Sequence, residues 1–100
     1  MALFEAQHLH KRFGAQVVLV DGAPALYLER GGKSLLTFEG LEDGRLELAV
    51  RALADWVLAD RRRRAGIERV DGEPVFGSRL QPLLEAAGFR TDLRGMVLRA

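Results

Sequence analysis

The sequence predicts an α+β domain built around a small, mostly antiparallel sheet or barrel-like module. Three observations lead there. Short apolar runs are punctuated by Asp-Gly and Gly-Gly turn signals, and one long stretch alone, Arg45 to about Arg64, has the spacing of an amphipathic helix. The apolar runs fall on both sides of that stretch, giving the order β-β-β-α-β-α-β-β with one long and one short helix.

Residues 1–13, "MALFEAQHLHKRF", have no clear period and read as a linker or a short helix; residues 14–100 read as a single domain. Gly14 breaks the chain, and "AQVVLV" is a strand ending at Asp21-Gly22. After Pro24, "ALYLER" and "KSLLTF" flank Gly31-Gly32, a two-residue connection suited to a type I′ hairpin, in which both φ angles are positive. That register pairs Arg30 with Lys33, Leu28 with Leu35 and Leu26 with Thr37, and on the other face Tyr27 with Leu36 and Ala25 with Phe38. Both faces are apolar near the base, so the hairpin is expected to be covered on each side, as in a small barrel or sandwich. Its tip carries two adjacent cations, Arg30 and Lys33, an arrangement that suits contact with an anion.

The same stretch contains Gly-Gly-Lys-Ser, the ending of a phosphate-binding loop, but the rest of that loop is missing. The glycine required five residues before Gly32 is Tyr27, and Leu35-Leu36-Thr37-Phe38 favours a strand where a helix is needed. No Asp after an apolar run follows to hold magnesium.

Gly40 to Gly44 form a polar break, with Asp43 a fair N-cap. Leu46, Val50, Leu53 and Val57 then make a helical stripe, widened by Ala49, Ala54 and Leu58. Gly66 suits the position after the helix, and the arginines at 61–64 suit the negative end of its dipole. "GIERV" is the next strand. It closes at Asp71-Gly72, so that Val70-Asp71-Gly72-Glu73-Pro74 echoes Val20-Asp21-Gly22-Ala23-Pro24. The repeated need for a tight turn explains this echo more simply than duplication. A short helix begins near Ser78, where "SRLQ" has the capping-box pattern, with Pro82 arguing for a slightly later start. Leu80, Leu83, Leu84 and Ala87 form its buried edge, and Gly88-Phe89 fits a Schellman ending with Phe89 against Leu84. Two short strands around Arg94-Gly95 finish the chain.

One hundred residues with 48% hydrophobic content support one small core. There is no cysteine, which removes disulfides and thiolate metal sites and fits a cytoplasmic protein. No apolar run reaches the length of a membrane span. Net charge is only +1, and of 15 basic residues just Lys11 and Lys33 are lysine. That bias looks like GC-rich codon usage and discounts arginine clusters as a signal.

Candidate chemistry is sparse. His8-Leu9-His10 lacks further metal ligands, and Ser34, Ser78 and Thr91 have no histidine partner in a convincing position. Glu29 and Glu39 are explained as surface charges. No catalytic residue, metal site or cofactor is assigned, and no enzyme is expected. Trp56 is read as core ahead of a stacking platform. The basic groups remain. Arg61, Arg62, Arg63 and Arg64 either neutralise phosphates or form a solvated helix end balanced by Asp55 and Asp60. Arg30 and Lys33 could lead a two-stranded ribbon into nucleic acid.

"VVLVDGAPALYLERGGKSLLTF", "IERVDGEPV" and "LEAAGFRTDLRGMVLRA" together resemble the C-terminal module of the Lhr (large helicase-related) superfamily 2 DNA helicases of bacteria. The resemblance runs from about Gly14 to Arg99. It implies a parent that is an ATP-dependent single-stranded DNA translocase linked to DNA repair, whose motor and winged-helix domains would be this module's partners alongside DNA. It also implies a fold with a β-barrel-like part, akin to a class of bacterial DNA glycosylases. The motor motifs are absent, so the expected role is accessory DNA binding or scaffolding. The alternatives are pure packing against the winged helix, or membership in a glycosylase-like module. No family catalytic residue maps onto this chain.

Overall fold

The computed structural model describes residues 2–5, 16–29, 31–38, 40 and 42–99. Among them are nine strands: β1 (Ala2–Glu5), β2 (Gln16–Val20), β3 (Ala23–Leu28), β4 (Ser34–Thr37), β5 (Arg64–Ile67), β6 (Arg69–Val70), β7 (Glu73–Pro74), β8 (Arg90–Thr91) and β9 (Met96–Arg99). The helices are α1 (Asp43–Leu58) and α2 (Gln81–Ala86). The fold is α+β. Its strands form two open sheets, ordered β1-β2-β3-β4-β6-β7 and β5-β9-β8, and every pairing is antiparallel except β4 with β6. Within the segment read as a linker or short helix, Ala2–Glu5 instead pair with β2; His8 and His10 lie outside the described residues.

The Gly-Gly connection sets the hairpin as the residues predict. Leu28 pairs with Leu35, Tyr27 with Leu36 and Leu26 with Thr37, and Gly31 and Gly32 have φ of 90° and 72°. A bond from the Gly32 N–H to the Glu29 carbonyl tightens the tip. Coverage of both faces is not what forms. Leu26, Leu28 and Leu35 are buried, whereas Leu36 on the opposite face is exposed and Val17 and Tyr27 are half-buried. The expected pairing of Ala25 with Phe38 also fails. A register shift between Val18 and Leu19 lets both Ala25 and Leu26 turn inward, and Phe38 stays 38% exposed. A bulge of this kind breaks the two-residue period that the sequence reading assumes.

Helix α1 lays Leu46, Ala49, Val50, Leu53 and Val57 on β2 and β3 and on the small sheet through β5 and β9. Each large aliphatic group buried in this way contributes roughly 1.5–3 kcal/mol. Leu58, assigned to the stripe, is exposed, and Glu42, not Asp43, is the N-cap residue. The helix stops at Leu58, well short of Arg64. Two contacts account for this. The Asp60 carboxylate accepts the Arg62 N–H at 2.9 Å, offering the backbone an alternative to the helical ladder. Arg63 then returns its guanidinium to the Trp56 carbonyl at 2.8 Å, satisfying one of the last helical acceptors.

The stretch "GIERV" is therefore two strands in different sheets. Gly66 lies within β5, not after the helix, and the chain crosses from β5 to β6 through the single residue Glu68. The Glu68 and Arg69 N–H groups both donate to the Lys33 carbonyl, at 2.7 and 3.2 Å, which ties the crossing to the end of β4. Helix α2 begins at Gln81, later than Ser78. Half of the anticipated capping box survives in shifted form, with the Gln81 side-chain oxygen accepting the Gly77 N–H at 2.8 Å. The Schellman ending forms in full: Phe89 N–H donates to Leu84 O, Gly88 N–H donates to Glu85 O, and Gly88 has φ of 106°. No helix among the described residues is long and apolar enough to cross a membrane.

Candidate nucleic-acid interface

In the three-stranded sheet, alternation sorts the side chains by face. Ala65 and Ile67 of β5 and Met96 and Leu98 of β9 are buried against the core. Arg64, Gly66, Val97 and Arg99 must then point outward. Register adds the third strand: Arg64 lies opposite Arg99, and Val97 lies between Gly66 and Arg90. Three arginines drawn from three strands thus surround one half-buried valine on a solvent face, where Gly66 adds no bulk. Two cations placed directly opposite each other lower stability unless an anion joins them.

Two shallow depressions, of about 530 and 320 Å³, meet on this face and share Arg64, Asp92 and Val97. The larger is flanked by Arg90 and Arg99, the smaller by Lys33, Leu93 and Arg94. No described carboxylate comes within ion-pair distance of Arg64, Arg90, Arg94, Arg99 or Lys33. Asp92 lines both depressions and Glu68 the smaller; the Asp92 carboxylate accepts the Leu93 N–H at 2.7 Å.

The four consecutive arginines are dispersed. Arg61 is exposed in the turn after α1. Arg62 is bonded to Asp60 through its backbone N–H and its guanidinium; these bonds hold the Asp60 carboxyl below its usual pKa and raise that of Arg62. Arg63 lies 4.3 Å above the Trp56 ring, and half-buried Trp56 packs its body on the core. Only Arg64 reaches the sheet face. At the hairpin tip, Lys33 is brought beside Arg64, and Arg30 lies outside the described residues. Arg90, Arg94 and Arg99 went unnoticed in the sequence because each stands alone there. The signal that could have found them is the tail hairpin, whose pairing places Arg90 and Arg99 on one face.

Guanidinium groups stay charged at all physiological pH and match phosphate oxygens with paired donors. A face carrying several of them, with cations outnumbering the two carboxylates Asp92 and Glu68, can hold a chain of phosphates. Among the described residues no His, Asp or Glu cluster could hold a metal ion.

Fold and site together define a small α+β module with one mainly cationic sheet face. Its relatives place it further. The chain is 37% identical to the Lhr helicase/probable uracil glycosylase of Mycolicibacterium smegmatis over 95% of its own length and 7% of that protein's. It is 31% identical to the Lhr helicase/uracil glycosylase of Escherichia coli over 86% of its length and 6% of that protein's. The chain belongs to the Lhr family, and it spans only a small fraction of the length of these curated relatives. No family model matches it, and no solved structure does.

Proposed function

We propose that this chain is an accessory single-stranded DNA-binding module of an Lhr-type helicase, without motor activity, placed at the C-terminal end of such a protein and serving DNA repair in the cytoplasm. The observation that carries this reading is the β5-β9-β8 face, where Arg64, Arg90 and Arg99 converge with no described carboxylate within ion-pair distance. Lys33 extends the track toward the hairpin tip, and Arg30 lies close to it in sequence. Arg61 is exposed in the turn before the face, whereas Arg62 and Arg63 serve the turn that delivers Arg64. The winged-helix and motor domains of the parent would be the module's protein partners.

The test is a titration of the chain with a fluorescent oligothymidylate across a salt series. Binding should weaken linearly on a logarithmic salt axis. Arg64→Ser, Arg90→Ser and Arg99→Ser combined should reduce that slope by about 2, because each phosphate contact on a single strand contributes about 0.7. No binding at low salt overturns the reading.

A second reading, packing against a neighbouring domain, is favoured by Leu36, Phe38 and Leu48, all exposed. It predicts concentration-dependent self-association on size-exclusion chromatography and no DNA affinity. Both relatives carry uracil glycosylase in their names. Abasic product on incubating this chain with uracil-containing DNA would replace the nonenzymatic reading.

A further inference from the structure

Leu93 is the most exposed large apolar residue among those described, at 98%, where the next, Leu48, reaches 46%. It stands at the apex of the β8–β9 hairpin, and the apex is braced. The Asp92 N–H donates to the Gly95 carbonyl at 2.7 Å, and the Asp92 carboxylate takes the Leu93 N–H at 2.7 Å. Behind them Gly95 is pressed so closely on the end of β5 that a Cβ there would overlap the Ile67 carbonyl. The hairpin therefore presents Leu93 to solvent on a fixed base, not on a slack loop. Leu93 also lines the same depression as Arg64, Arg94 and Lys33.

An exposed aliphatic side chain that shares a depression with three cations, which outnumber the carboxylates Glu68 and Asp92, suits a polymer that is anionic along its backbone and apolar on the faces of its side groups. An acidic peptide would match the charges, whereas a single strand sets an apolar base face beside every phosphate. We infer that Leu93 is a base-contacting residue, laid against or between the bases of a single strand whose phosphates lie on Arg64, Arg90 and Arg99. This rests on the DNA-binding reading and adds to it the residue that touches bases. Contact of this kind reads no hydrogen-bond pattern, so it favours an unpaired strand over a duplex without favouring a sequence.

The full 100-residue chain is titrated with an oligothymidylate and, in parallel, with a strand of equal length made only of abasic phosphodiester units. Leu93→Ala should weaken oligothymidylate binding ~fivefold, the lowest value for losing an aromatic stack, because an aliphatic side chain has no π face. The salt slope should not change, because an apolar contact releases no counterions. On the abasic strand the variant and the parent should bind alike. A 2-aminopurine placed in the strand should change its fluorescence with the parent chain and not with Leu93→Ala. Because the side chain is almost wholly in solvent, the variant should fold normally, which circular dichroism checks; Leu93→Phe, with a larger apolar face, should restore or tighten binding.

Three outcomes overturn the inference. If Leu93→Ala binds oligothymidylate as tightly as the parent while the triple arginine variant loses affinity, the cationic face stands and Leu93 belongs to a protein neighbour. An equal loss on both strands means that the residue acts on the backbone or on the fold. If the parent chain binds neither strand at low salt, the DNA-binding reading falls as well.

Discussion

Two five-residue segments of this chain share a sequence pattern and a backbone but not a role. Val20-Asp21-Gly22-Ala23-Pro24 joins β2 to β3, and Val70-Asp71-Gly72-Glu73-Pro74 joins β6 to β7. Both aspartates have φ of 53°, and the glycines have φ of 81° and 83°. In each turn the valine pairs across the strands with the residue after the glycine. Their carboxylates diverge. Asp71 accepts both the backbone N–H and the hydroxyl of Thr37, at 2.7 Å each, fastening its turn to β4. Among the described residues Asp21 meets only Arg45, at 3.6 Å, with both side chains well exposed. Local sequence dictates the dihedral angles of the turn, because Asp and Gly tolerate left-handed backbone. What the side chain then does depends on whether another strand lies within reach.

Substitutions at turn residues should separate what local sequence decides from what distant strands decide. The largest effect is expected at a glycine that needs space instead of a positive φ. Gly95→Ala drives a methyl group into the Ile67 carbonyl, with no flexible side chain to yield, and should cost about 3 kcal/mol by chemical denaturation. A variant as stable as the parent would mean that β9 shifts freely. Next comes Asp71→Ala. It loses two charge-assisted bonds at a partly exposed site and an αL-tolerant residue, together about 2–3 kcal/mol. Asp21→Ala should cost only about 1 kcal/mol, nearly all of it conformational, because an exposed ion pair contributes little. Equal losses would remove the distinction between the turns.

Gly22→Ala and Gly72→Ala supply the control. A Cβ added to either glycine would meet no atom within 4 Å, so each substitution should cost the same, about 1 kcal/mol, through φ alone. The smallest effect concerns Asp60, a third carboxylate that holds a backbone N–H. Its pKa is lowered first by the Arg62 N–H and then by the Arg62 guanidinium. A lowered folded-state value means that its contribution is present above the ordinary carboxylate range and is lost as pH falls through the lowered value. In a carbon-detected NMR titration Asp60 should protonate below the ordinary carboxylate range, and the turn at Arg61–Arg62 should loosen only then.

Much of the fold is legible in the residues, and the reasons are local. Gly31-Gly32 determines the hairpin register, the period of Leu46, Val50, Leu53 and Val57 determines the buried face of α1, and Gly88-Phe89 determines how α2 ends. What escapes is decided by distant partners. Nothing within "GIERV" says that Ile67 and Arg69 enter different sheets, because that depends on β9 claiming one and β4 the other. The end of α1 is lost for a related reason: Asp60 competes for the backbone at a point where helical propensity alone would continue. The candidate interface is the least legible part. Arg64 is one of four adjacent arginines and is the only one of them on the face, and its companions Arg90 and Arg99 arrive from the far end of the chain.

The passage through Glu68 has a mechanical side. A chain that leaves one sheet and enters another across a single residue, with Lys33 clasping the far side of that step, has no slack to absorb relative rotation. A load applied to the arginine-bearing strands would pass straight into β4 and β6, so the molecule would respond to pulling as one stiff piece.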